Sequence, residues 1–125
     1  MTEDIQLRDS LSGSFGNNLK QLMDLNGFTN NSLYKESNID GDKINSLAEG
    51  ENMPTIEECV TLCAVFELKP IVSHRFLSSG GYDLQSNSEL KYQFYNFLIT
   101  YCYGETPYEW KLKISSTNHQ EWQIK

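Results

Sequence analysis

Between Phe15 and Leu77 the apolar residues recur every three or four positions, but each run is soon cut by a glycine, a proline or a polar turn. Phe15, Leu19, Leu22 and Met23 share one helix face and Gly27 follows them. Leu33 and Tyr34 lie behind Thr29, a good cap, and Asn38-Ile39-Asp40 reads as a turn. Ile44 and Leu47 come next, closed by Gly50; Pro54 and Thr55 then open a run with Ile56, Cys59, Leu62, Cys63 and Phe66 inward. A last short helix over Ile71–Leu77 follows Pro70. The 3.6-residue period with these starts and stops predicts five short helices. Helices this short are marginal alone in water, so they must pack on one another.

Outside this stretch the pattern changes. Residues 1–14 show no apolar periodicity and read as a flexible lead-in, and Ser78-Ser79-Gly80-Gly81 opens a linker over 78–87. Residues 88–103 form an aromatic helix on which Leu90, Phe94, Phe97, Leu98 and Tyr101 make a stripe suited to dimerisation or to covering the bundle. After Gly104 and Pro107 the period becomes two: Trp110, Leu112 and Ile114 alternate with Lys111 and Lys113, and Trp122 and Ile124 with Gln123 and Lys125. That alternation, with a turn over Ser115–Gln120, predicts a C-terminal β-hairpin with Lys111, Lys113 and Lys125 on one face.

The register of Gly27, Leu33, Ile39, Ile44, Leu47, Gly50, Pro54 and Leu62 resembles the phage-repressor/Cro type of helix-turn-helix domain, the XRE family. FGNNLKQLMDLNGFT is similar to its first helix, TNNSLYKES to the second, NIDGDKINSLAEG to the turn and recognition helix, and ENMPTIEECVTLCAVF to the fourth. The resemblance implies a mainly α chain: a five-helix lambda-repressor-like bundle over 15–77, followed by the aromatic helix and hairpin over 88–125. It also implies a dimeric transcriptional regulator bound to a double-stranded DNA operator. Base-reading positions would then be Gly41, Asp42, Lys43 and Ser46, and Asn30 would hold a phosphate. The Arg and Glu common in the family at the positions of Met23 and Ala48 are both absent, and exchanging a whole ion pair for apolar residues is compatible with a stable fold.

Charge opposes that function. The chain carries 17 acids against 10 bases, a net charge of −7. Residues 29–54 hold Glu36, Asp40, Asp42, Glu49 and Glu51 against only Lys35 and Lys43, whereas residues 87–125 balance four acids with four lysines. Phosphate neutralisation supplies non-specific DNA affinity, so this region predicts weak binding unless dimerisation or the basic hairpin adds contacts. Asp40, Asp42, Glu49, Glu51, Glu57 and Glu58 also suggest the alternative: an antirepressor or anti-CRISPR type of inhibitor, presenting an acidic face to a partner protein with a basic surface.

Other chemistry is poorly represented. Cys59 and Cys63 lie four apart, and Cys102 and His74 are conceivable co-ligands, but the spacing lacks the two separated pairs usual for zinc, so no metal is expected. His74 and His119 have no nucleophile or carboxylate at catalytic spacing, and no phosphate-binding glycine loop appears. No enzyme activity and no cofactor are expected. MTEDIQLRDS is acidic where a secretory leader is basic and then apolar, and no apolar run is long enough to span a bilayer, so a cytoplasmic protein without membrane association is expected.

Overall fold

The computed structural model describes residues 3–125, and every regular element among them is helical. In chain order these are α1 (Glu3–Ser10), α2 (Phe15–Asn26), α3 (Asn30–Ser37), α4 (Gly41–Ala48), α5 (Ile56–Val65), α6 (Pro70–Ser79), α7 (Leu90–Tyr101) and α8 (Pro107–Ser115), then a 3-10 turn at Gln120–Trp122. The helix ends obey local chemistry. Ser14, Thr29 and Thr55 each accept a backbone N–H of the first turn through the side-chain oxygen. Gly27 leaves α2 at φ 72°, where a Cβ would be strained, and the Phe28 N–H closes on the Met23 carbonyl.

α5 is the axis of the molecule. Its residues from Cys59 to Ala64 are all buried, and it packs against α3, α6, α7 and α8. Beside it Phe15 stacks on Phe76 at 4.7 Å between ring centroids, and Phe66 meets Phe76 and Phe28 edge-on. One continuous apolar cluster runs from Leu11 to Ile124.

Two expectations are corrected. No strand occurs among the described residues, so the C-terminal hairpin is absent. The reason is local: Thr106 caps α8, Glu109 returns the bond to the Thr106 N–H, and Pro107 occupies the first turn. Trp110 and Ile114 fit a helix face as well as a strand face, because their spacing is one helical turn. Leu112, which strand alternation turns inward, is 56% exposed. The lead-in also departs from expectation: residues 3–10 form α1, which lies along α6 and buries Leu11 behind it.

The extension is part of the core. Tyr95, Leu98, Ile99, Trp110 and Ile114 are all fully buried, at about 1.5–3 kcal/mol of transfer free energy for each large apolar side chain. Trp110 Nε1 donates to the Cys102 carbonyl at 3.0 Å, and the Tyr95 hydroxyl donates to the Trp122 carbonyl. The Lys125 N–H reaches back to Thr61 Oγ1 on α5 at 3.0 Å, tying the last residues to the bundle. Lys91 of α7 pairs with Glu57 of α5.

Candidate nucleic-acid interface

α3, the Asn38–Asp40 turn and α4 place the predicted reading residues. The Thr29–Ser32 capping box starts α3, and Asn38 ends it in the left-handed region at φ 61°. Ser37 Oγ accepts the Ile39 N–H at 3.1 Å, and Ile39 is buried, so the turn is pinned from inside. α4 buries Ile44, Leu47 and Ala48 against α2 and α3 and turns Asp42 and Asn45 outward, with Glu49 exposed just after it. Gly16 sets the approach of α2 to α4. A Cβ there would lie 2.6 Å from the Ala48 carbonyl oxygen and 2.8 Å from that of Leu47.

The five positions carried over from the resemblance fare unequally. Asn30 is exposed at the start of α3, beside a shallow groove of about 270 Å³ that also touches Asn45 of α4 and Glu49 just after it. Gly41 opens α4 with nothing near its missing side chain. Asp42 is exposed. Lys43, part-exposed, reaches Glu58 at 4.0 Å. Ser46 Oγ donates to the Lys43 carbonyl and accepts from Asn52 Nδ2 at 2.9 Å, so its hydroxyl is already engaged. Met23 and Ala48, where the family pairs Arg with Glu, are both buried apolar residues.

The six acids do not form one face. Glu58 is 5% exposed, with Oε1 accepting the Thr55 N–H in a capping box and standing near Lys43. Glu57 is held by Lys91 of α7. The remaining four are exposed at the two ends of α4: Asp40 just before it, Asp42 in its first turn, and Glu49 and Glu51 after it. Among the described residues Asp40, Asp42 and Glu51 have no ion pair, and Glu49 has only Lys20 at 3.9 Å. The sequence does contain the signal that removes Glu58 from the set, since Thr55-Ile56-Glu57-Glu58 is a capping-box string.

The other candidate groups are distributed as follows. Leu98 is buried within the core, whereas Leu90 (67%), Phe97 (43%) and Tyr101 (77%) are exposed on the opposite side of α7, with Phe94 half-buried against Trp122. The predicted basic ribbon is dispersed: Lys113 pairs with Glu105 at 3.3 Å, Lys111 lies in a groove facing Glu36, and Lys125 belongs to the tied-down tail. Cys59 and Cys63 are buried, and burial pushes both thiols up, Cys63 to about 12. No group of three or more potential metal ligands occurs among the described residues, and no helix there is long and apolar enough to cross a membrane. No family model, no curated protein and no solved structure matches this chain.

Proposed function

We propose that the protein is a non-catalytic, dimeric DNA-binding regulator of the repressor/Cro type that reads an operator with α4. The observation that carries this reading is the mounting of α4: it is held from behind by α2 and α3 while Asp42, Asn45 and Glu49 face outward. That is the arrangement a reading helix needs to enter a major groove. Two copies joined through Leu90, Phe94, Phe97 and Tyr101 of α7 double the contacts, which a face with Lys43 drawn toward Glu58 requires. A mobility-shift titration against duplexes from its own upstream region, at low and moderate salt, tests this. A shift that weakens with salt supports it; absence of any shift at low salt refutes it.

The exposed carboxylates at the ends of α4, of which only Glu49 has an ion pair, favour a second reading, an inhibitor whose acidic face occupies a basic surface on a partner protein. Glu49→Lys with Glu51→Lys separates the two. The double variant strengthens duplex binding if α4 reads DNA, and abolishes partner binding if those carboxylates make the contact.

A further inference from the structure

A cleft of about 440 Å³ lies between α1, α6 and the loop that follows α6, lined by Arg8, Ile71, His74, Arg75, Ser78 and Gln85. Arg8 and Arg75 are the only arginines in the chain, and the fold brings both to one place. Ile71, His74, Arg75 and Ser78 stand at i, i+3, i+4 and i+7 on α6, a single stripe. α1 carries Arg8 to its edge because α1 packs along α6, with Lys69 and Asp4 paired at 3.4 Å. Gln85 comes from the loop, where Asp83 accepts the Gln85 and Ser86 N–H groups and the Ser86 hydroxyl. A smaller recess of about 230 Å³ continues the cleft past His74, Ser78 and Gln85 to Tyr82 and Asp83.

The donors in this cleft are unspent. Among the described residues Arg75 has no ion pair, although the chain has 17 acids, and His74, Arg75, Ser78 and Gln85 make no side-chain hydrogen bond. Arg8 meets only its exposed neighbour Asp9, through Nε and Nη2 on one carboxylate oxygen at 2.9 Å. An exposed pair of this kind is weak and screened by salt, so it yields to a better acceptor. We propose that this cleft binds a small organic molecule bearing a phosphate or carboxylate group, gripped by the Arg75 and Arg8 guanidinium groups. The planar fork of a guanidinium suits both oxyanions. Ser78 and Gln85 supply neutral donors and Ile71 an apolar wall, and the volume lies within the usual range for small-molecule sites. A polyanion fits poorly, because Asp83 lines the adjoining recess and Asp9 stands beside Arg8, so an extended phosphate chain would meet like charge.

The test is NMR titration of the full chain with inorganic phosphate, adenosine monophosphate and citrate, following the two histidine rings. Binding is expected to move His74 and leave His119, which stacks on Trp122, in place. Arg75→Gln should weaken binding by about tenfold or more and Arg8→Gln by less, because charge-assisted hydrogen bonds are lost, with unchanged circular dichroism as the check on folding. Saturation by phosphate and adenosine monophosphate alone identifies a phosphate ligand; saturation by citrate identifies a carboxylate. The proposal is overturned if no probe moves His74 at concentrations up to about 10 mM, which is about ten times a millimolar Kd. Equal movement of His74 and His119, or unaltered binding in both variants, overturns it as well. So does displacement of the probes by duplex DNA, which assigns the arginines to a nucleic-acid backbone.

Discussion

Gly16→Ala should destabilise the protein although it replaces a helix glycine with the best helix former. Alanine in a helix interior gains about 1 kcal/mol over glycine, an upper bound for a residue in the first turn of α2. Against that gain, the new methyl would stand 2.6 Å from the Ala48 oxygen and 2.8 Å from the Leu47 oxygen. Both obstacles are backbone, so no rotamer change relieves them and α2 must move away from α4 by several tenths of an ångström. Overpacking of this kind costs about 1–3 kcal/mol, and the rigid obstacles put this site in the upper half of that range. The net effect is a loss of about 1–2 kcal/mol, which at a urea m-value of about 1.5 kcal/mol/M lowers the midpoint by about 1 M. Gly41→Ala is the matched control. It begins α4 with nothing within 4 Å of the added carbon, so it should leave the midpoint unchanged or raise it. Urea unfolding followed by circular dichroism at fixed pH measures both. A midpoint for Gly16→Ala at or above the wild-type value, with an unchanged m-value, would refute the argument that α2 and α4 touch through their backbones.

Thr106→Ala removes the cap of α8 and should cost about 1 kcal/mol by urea unfolding. Phe97→Glu with Tyr101→Glu, on the exposed side of α7, should convert a dimer to a monomer in light scattering with an unchanged helical circular dichroism spectrum; a wild-type monomer would remove α7 as the dimer interface. The buried thiols, all displaced upward by desolvation, should resist a thiol reagent in the native chain and react together once urea unfolds it. His74 is held below the ordinary histidine range by burial, with Asp83 opposing. A depressed histidine pKa means that the unfolded chain binds the proton first. Its contribution to stability is therefore full above about pH 6.5 and declines as pH falls toward the lower folded-state value. Urea midpoints at pH 8 and pH 5 should differ more for the wild type than for His74→Gln.

What could be read from the chain alone was whatever its chemistry settles within a turn or two. Thr29, Gly27, Pro54 and Pro70 bracket helices because caps and φ constraints act on adjacent backbone, and α2 to α6 stand where the sequence pattern put them. Leu19, Leu33, Ile44 and Leu62 are buried because a period of 3.6 assigns one face to the interior. The same logic contains the answer for α8, in Thr106-Pro107 and Glu109, yet the alternation of Trp110, Leu112 and Ile114 suits a strand equally. Only packing on α5 shows which of the three is inside.

Tertiary structure decided which charges stay available, apart from Glu58, whose capping-box place the sequence already marks. Glu57 and Glu58 are neighbours with the same chemistry as Glu49 and Glu51. One is bound by Lys91, 34 positions away, and the other is buried at a helix start near Lys43, while Glu49 and Glu51 remain in solvent. Likewise nothing in the sequence marks Gly16 as the contact point of α2 with α4, or Arg8 and Arg75 as neighbours across one cleft. Helix termini answer to the next few residues. Ion pairs, close backbone approaches and clefts answer to which helices meet, and that is set by the burial of the whole apolar cluster from Leu11 to Ile124.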